Sequence, residues 1–88
     1  MIPLQLRPLF WDTNLDAFEP KEYPVYTIER VLEHGDEPEV TWLLDVFTRE
    51  QVREVIRTDR RLTPRSASFW ALFFGIPTTE VAALVAVR

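Results

Sequence analysis

The stretch SASFWALFFGIP, residues 66–77, decides how the chain folds. Large apolar side chains fill five of the six positions in Phe69–Phe74, and Gly75 follows them directly. Just upstream, Thr63-Pro64 supplies the residue types that favour a helix N-cap and first turn, and glycine commonly ends a helix. We therefore predict a helix over residues 63–75. Because this helix is apolar almost all the way round, each of its sides needs to be covered.

The rest of the sequence also has the pattern of helices. No segment alternates apolar and polar residues with the period of two that is typical of a half-buried strand. Pro24 suits the first turn of a helix, Gly35 suits a helix end, and Thr48-x-x-Gln51 is a capping box. These signals predict an all-α chain, and the helices are expected at residues 24–35, 37–47, 48–59, 63–75 and 78–87.

The predicted architecture is a compact single domain, residues 1–88, of five to six short helices. Residues 1–11 contain two prolines among apolar residues, and we expect them to form an extended arm that packs on the helices. The last two helices have the spacing of a helix-turn-helix pair, with Ala71, Gly75 and Val81 at relative positions 1, 5 and 11. A small residue, a turn glycine and a β-branched anchor at those positions favour close packing of two helices.

Composition narrows the functional class. The chain has 88 residues, 47% of them hydrophobic, and no cysteine, so neither a disulfide framework nor a cysteine metal site is expected. The N-terminal sequence lacks the features of a signal peptide, and no stretch is long and apolar enough to cross a bilayer. We predict a cytoplasmic protein that has no membrane partner.

The sequence contains no pattern that indicates catalysis. His34 is the single histidine, and its place at a predicted helix end is favoured by the helix dipole. The carboxylates near it fall at exposed-looking helix positions, and two glycines in 88 residues leave no phosphate-binding loop. We therefore predict a protein that is not an enzyme, with no catalytic, cofactor-binding or metal-binding residue and no small-molecule substrate.

Arginines are concentrated in the second half of the chain. Residues 1–48 hold three basic and ten acidic side chains, net −7, whereas residues 49–88 hold seven arginines and four acids, net +3. Together with the helix-turn-helix spacing, this suggests nucleic acid as a possible partner and a DNA-binding regulator as the alternative function. However, the second helix of that pair, TTEVAALVAVR, offers few side chains for reading bases. The candidate phosphate contacts are Arg53, Arg57, Arg60, Arg61 and Arg65.

The surplus of apolar residues in the last two helices favours a protein partner. Either the N-terminal arm covers these residues and they are all core, or part of them forms an interface with another protein or a second copy. Buried aromatic side chains often dominate the energetics of interfaces. The leading hypothesis is thus a protein-interaction module, and its candidate partner-binding residues are Phe69, Trp70, Phe73 and Phe74.

Three blocks of the sequence resemble a known family. They are Phe10-Trp11-Asp12, the segment IERVLEHGD at residues 28–36, and the segment RRLTPRSASFWALFFGIP at residues 60–77. Together they resemble a family of small, uncharacterised prokaryotic proteins, the DUF6922-like proteins, with FWD, IERVLExGD and SRxLSxRTAxFWALxxGIP blocks. Asp59 and Ser66 depart from that pattern, and the C-terminal tail is more apolar than the usual basic ending. The resemblance implies a gene beside a nucleotidyltransferase-type toxin of the abortive-infection kind, and hence an antitoxin or small partner subunit whose protein partner is that cognate toxin.

Overall fold

The computed structural model describes residues 3–14 and 17–85, and within these ranges all of the regular secondary structure is helical. The helices are α1 (Pro24–His34), α2 (Glu37–Val46), α3 (Arg49–Thr58), α4 (Pro64–Phe74) and the short α5 (Ala82–Val85). Three 3₁₀ segments, Leu4–Phe10, Pro20–Glu22 and Thr78–Glu80, complete the described structure. The predicted all-α class is confirmed, and α1 to α4 lie at the predicted places, with ends that differ by one residue at most.

Local sequence signals account for the helix boundaries. At the start of α3 the capping box is formed: the Gln51 backbone N–H donates to Thr48 Oγ1 at 3.1 Å, and the Thr48 backbone N–H donates to Gln51 Oε1 at 2.8 Å. The Asp36 backbone N–H donates to the Glu39 side chain at 2.6 Å in the same way before α2. Helix α4 ends at Gly75, whose φ of 69° and ψ of 36° place it in the left-handed region that glycine tolerates best.

The core lies where one face of each helix meets α4. The buried face of α4 packs against α1, α3 and α5, while α2 closes the side next to α1 and α3. The first 3₁₀ segment, α1 to α4 and Val81 supply buried apolar side chains, which is the arrangement that stabilises a small helical domain. These include Leu6, Phe10, Ile28, Val31, Leu32, Val40, Leu43, Val52, Ile56, Trp70, Ala71 and Val81.

The N-terminal arm differs from the prediction in its backbone. Instead of an extended segment, Leu4–Phe10 form a 3₁₀ helix, which begins where the Leu6 backbone N–H donates to the Pro3 carbonyl at 3.0 Å. The φ value that proline requires falls within the range of a 3₁₀ helix, so Pro3 and Pro8 do not prevent this geometry. The arm does pack on the core, because Leu6 and Phe10 are buried. Residues 1 and 2 of the predicted arm lie outside the described residues.

The predicted helix over residues 78–87 is also wrong in part. Thr78–Glu80 form a 3₁₀ turn, and Val81 after it is extended (φ −100°, ψ 111°). Of the predicted helix, Ala82–Val85 are α-helical, and residues 86 and 87 lie outside the described ranges. The break turns Val81 into the core, where it is fully buried. Ala71 and Val81 are both buried and Gly75 has a left-handed backbone, but the element after the turn is not a continuous recognition-type helix.

No helix within the described ranges has the length and apolar character that crossing a bilayer requires.

Candidate functional site

Helix α4 has a buried face that belongs to the core. Trp70 is only 3% exposed, and its indole Nε1–H donates to the backbone carbonyl of Leu32 in α1 at 2.7 Å. Phe74 is similarly buried, and Ala67 and Ala71 let the neighbouring helices approach closely. Two of the four candidate partner-binding residues, Trp70 and Phe74, therefore hold the fold together rather than face outward.

The opposite side of α4 carries three large apolar side chains at the surface. Phe69 is 51% exposed, Leu72 83% and Phe73 44%. Their spacing of three and four residues places them on one side of the helix, and we call this set the α4 face. The rings of Phe69 and Phe73 lie edge-on to Trp70, with centroids 4.7 Å and 5.3 Å away. Aromatic packing on a buried tryptophan thus holds both exposed rings in place.

Sequence reasoning missed Leu72, the most exposed of these residues. The prediction from sequence treated α4 as apolar on almost every side. In fact residues 69, 72 and 73 lie on one side of the helix, and residues 67, 70, 71 and 74 lie on the other. A helical wheel of 100° per residue separates the two sets, and this signal was present in the sequence.

A groove continues the α4 face toward the start of α2. It has a volume of about 310 Å³ and lies between the end of α1 and the first turns of α4. Trp70 and Phe69 contribute apolar surface, whereas Arg65 and Asp36 contribute charge. The groove and the α4 face share Phe69, so they form one continuous surface.

The arginines at the other end of α4 are engaged within the molecule. The Arg53 guanidinium donates to the backbone carbonyl of Phe74, one of the orphan acceptors at the end of α4. Arg49, on the same side of α3, places its guanidinium carbon 4.9 Å from the centroid of the Phe74 ring. Arg57 lies 3.8 Å from the Glu54 carboxylate and 4.0 Å from that of Glu80.

The five candidate phosphate-binding arginines thus do not form a single uncommitted patch. Arg61 lies 3.2 Å from Glu29 in α1, while Arg60 and Arg65 are exposed at the surface. Arg53 and Arg57 are only partly exposed and are paired as described above. The proposal that these residues contact nucleic acid stays a prediction.

Glu33 of α1 is bound at the N-terminus of α4. Its carboxylate accepts hydrogen bonds from the Thr63 backbone N–H at 2.9 Å, the Thr63 hydroxyl at 2.8 Å and the Ser66 hydroxyl at 2.9 Å. Partial burial acts to raise the pKa of Glu33, but these hydrogen bonds outweigh it and hold the pKa below its ordinary value. The carboxylate also lies at the positive end of the α4 dipole. Sequence reasoning assigned Glu33 to a solvated surface and missed this role.

The pKa of Glu29, one turn earlier on α1, is shifted in the opposite direction. Burial, followed by the neighbouring Asp59 carboxyl, raises the pKa of Glu29 above its ordinary value. Arg61 approaches Glu29 but remains 74% exposed, whereas the Asp59 side chain is 5% exposed, so solvent weakens the attraction more than the repulsion. Glu29 Oε1 and Asp59 Oδ2 are both buried without a hydrogen-bond partner.

Arg30 connects α1 to the segment after the first 3₁₀ helix. Its guanidinium donates to Asp12 Oδ1 at 2.5 Å and to the Tyr26 hydroxyl at 2.9 Å, and it lies 4.5 Å from the centroid of the Trp11 ring. The hydrogen bond from Arg30 lowers the pKa of Asp12, despite the small opposing effect of burial. His34, at the end of α1 as predicted, packs its ring 5.0 Å from that of Trp11.

Across residues 3–14 and 17–85, no three histidine, cysteine or acidic side chains are grouped as a metal ion would require.

Comparison with known proteins gives a family but no annotated relative. Neither the curated proteins nor the solved structures contain a match to the chain. The profile of one family matches residues 6–56, from the first 3₁₀ helix to the last turn of α3, a segment that includes Asp12, Arg30 and Glu33. Because this match covers more than half of the sequence, the chain belongs to a family of unknown function, DUF6922.

Proposed function

We propose that this protein is a non-catalytic interaction module that docks onto another protein through the α4 face. The observation that carries the proposal is the exposure of Phe69, Leu72 and Phe73 side by side on one helix. Trp70 fills the core directly beneath them, so the fold does not need these three side chains for its own burial. The largest exposed apolar patch on a protein surface is often functional, which supports an interaction role for these contiguous side chains.

The surface is also suited to binding because it is already ordered. Phe69 and Phe73 rest edge-on against Trp70, whose indole is fixed by its hydrogen bond to Leu32. Side chains that are held in place before binding lose less conformational entropy when the partner arrives. Burying apolar surface contributes about 25 cal/mol per Å², so covering the mostly exposed Leu72 and the half-exposed Phe69 and Phe73 supplies part of a binding energy.

The partner proposed here is the toxin-like protein that the family resemblance implies, which makes this chain its antitoxin or small partner subunit. Docking would then neutralise the toxin by covering or distorting its active surface. A protein of this class needs shape and apolar contact rather than catalytic groups, which agrees with the composition of the α4 face.

DNA binding remains the alternative prediction, and the contacts favour it less. Arg53 donates to the end of α4, and Arg57 and Arg61 lie beside carboxylates of their own chain. Phosphate contacts from these residues would replace existing interactions rather than use free charges. A steep loss of affinity with salt would favour this alternative.

Co-expression with the product of the neighbouring gene tests the proposal. The variant Phe69→Ser/Leu72→Ser removes the α4 face, and Leu4→Ser removes an equally exposed apolar side chain elsewhere. We expect the wild type and Leu4→Ser to rescue growth and to co-purify with the neighbour at high salt, and the double variant to do neither. Surface substitutions usually change stability by less than about 0.5 kcal/mol, so thermal unfolding should show that all three proteins fold.

Rescue and co-purification by the double variant at wild-type levels would contradict docking through the α4 face. A neighbour that is harmless alone and never associates with this protein would contradict the toxin-partner proposal.

A further inference from the structure

The α4 face has an arginine at each end. Arg65 precedes Phe69 by one helical turn, so it lies on the same side of α4, and it is exposed and lines the groove. At the other end, Arg49 is exposed and covers the ring of Phe74, which lies 5.2 Å from the ring of Phe73. Helix α4 contains no acidic residue. The apolar stripe is therefore bracketed by positive charge, although the whole chain has a net charge of −4.

We propose that the segment bound by the α4 face is an amphipathic helix with an acidic side chain near each end of its apolar stripe. This inference rests on the proposed docking function and specifies the chemistry of the partner. From Arg65 to Phe73 the helix rises about 12 Å, or just over two turns. A partner helix that presents apolar residues over two to three turns, with an acid beyond each end, matches both the length and the charge of this surface.

Asp36 limits how acidic the partner is at the Arg65 end. It lies at the groove beside Arg65, and it precedes Glu37 at the start of α2. A single carboxylate directed at Arg65 gains a charge-assisted hydrogen bond, whereas a run of acids would also meet Asp36. The surface therefore fits one acid at each end of the stripe rather than a polyacidic segment.

A second copy of this chain is a poorer occupant. If two α4 helices paired antiparallel about a two-fold axis, Arg65 of one copy would lie near Arg49 of the other; a parallel pair would place Arg65 against Arg65. Either arrangement brings like charges together.

Designed peptides test the charge pattern directly. Three helical peptides share one apolar stripe, and each carries a single residue type, Glu, Ser or Lys, just beyond both ends of the stripe. Each peptide is titrated into the ¹⁵N-labelled full chain. Binding is followed by NMR and by fluorescence anisotropy. We expect the Glu peptide to bind at least about tenfold more tightly than the Lys peptide, since like-charge juxtaposition weakens binding strongly. Amide shifts are expected at residues 65–74.

Charge reversal supplies the matched control. The double variant Arg49→Glu/Arg65→Glu is expected to reverse the preference, so that the Lys peptide binds more tightly than the Glu peptide. Arg60→Glu changes an exposed arginine outside the α4 face and should leave the order of the three peptide affinities unchanged. Both variants keep the core, because none of these side chains is buried. Thermal unfolding of each variant verifies that it folds.

Three results would overturn the inference. The first is equal affinity of all three peptides, and the second is no binding of any peptide. The third is self-association of the protein that Leu72→Ser abolishes, because a second copy would then occupy the α4 face. If no peptide binds but the neighbouring gene product still co-purifies through Phe69 and Leu72, this inference fails and the docking function stands. If the charge preference is found but the neighbour never associates, the toxin-partner proposal fails and this inference stands.

Discussion

Replacing Glu29 and Glu33 separately with glutamine should change the stability of the protein in opposite directions. The two residues are one turn apart on α1, and each substitution converts a carboxylate into an amide of the same shape. Glu33 accepts three hydrogen bonds at the start of α4, whereas Glu29 is pressed against the buried Asp59 carboxyl. The pair thus separates the effect of charge from the effect of side-chain volume.

The expected magnitudes follow from these contacts. A hydrogen bond to a charged acceptor contributes about 1.5–3 kcal/mol. Glutamine keeps one oxygen that accepts, but its NH₂ group cannot accept from the donors that the second carboxylate oxygen binds. We expect Glu33→Gln to lower the free energy of unfolding by about 1.5–3 kcal/mol at pH 7. Glu29→Gln removes a charge next to Asp59 and adds an N–H that can reach the unpaired Asp59 Oδ2, so a gain of about 1 kcal/mol is expected.

The pH dependence provides a second test of the same reasoning. The folded-state pKa of Glu33 is lowered, so its contribution is complete above the unfolded pKa of about 4.3 and is lost as the pH falls through the folded value. The folded-state pKa of Glu29 is raised, so its penalty is present above that raised value and is relieved as the pH falls through it. On acidification, the effect of Glu29→Gln should therefore disappear at a higher pH than that of Glu33→Gln.

Urea unfolding at a series of pH values, followed by far-ultraviolet circular dichroism, measures both variants against the wild type. For a domain of this size, 1 kcal/mol corresponds to about 4–8 °C in Tm, which thermal scans resolve easily. Destabilisation of similar size in both variants at pH 7 would refute the assigned environments, as would a Glu33→Gln effect that grows on acidification.

Further substitutions test the packing of α4 and its connections. Trp70→Phe should lower stability by about 1–3 kcal/mol in urea unfolding, because it leaves the buried carbonyl of Leu32 without its donor; stability equal to the wild type would show that this bond is dispensable. Gly75→Ala should lower Tm through about 1–2 kcal/mol of left-handed backbone strain alone, since a Cβ there meets nothing within 4 Å. Gly35→Ala should lower Tm for a different reason, because its Cβ would lie 2.9 Å from the carbonyl oxygen of Val31; an unchanged Tm would argue against that contact. Arg30→Lys should weaken the connection to Asp12 and Trp11 and alter the near-ultraviolet circular dichroism, because lysine lacks the planar fork; an unchanged spectrum would contradict this.

Short-range signals made most of the fold predictable. The Thr48 and Gln51 capping box and the Gly75 turn depend on residues within one helical turn of each other, so the sequence pattern is sufficient to locate them. The arm was harder because proline is compatible with both an extended segment and a 3₁₀ helix. The break at Val81 escaped prediction because burial of one side chain overrode an otherwise helical pattern.

The surface of α4 was less predictable than its existence. The helical wheel puts Phe69 and Trp70 on different sides of α4, but which of the two sides faces the core depends on where α1 lies, a tertiary placement that the wheel alone does not give. The contact between Glu33 and Thr63 spans 30 residues, so a single sequence shows two ordinary surface residues. Neighbouring charges likewise gave no sign that Arg53 would bond to the carbonyl at the end of α4.

The Glu33 contact has a consequence for synthesis of the chain. Translation delivers the N-terminal part first, at roughly 5–20 residues per second, so α1 leaves the ribosome before Thr63 and Ser66 do. During that interval the carboxylate of Glu33 and the carbonyl of Leu32 lack the donors from Thr63, Ser66 and Trp70 that they bind in the folded chain. Helix nucleation is unfavourable in an isolated segment, so the hydrogen bonds between Glu33 and residues 63 and 66 stabilise α1 and the first turn of α4 together. Formation of α4 is thus coupled to formation of α1 rather than to its own sequence alone.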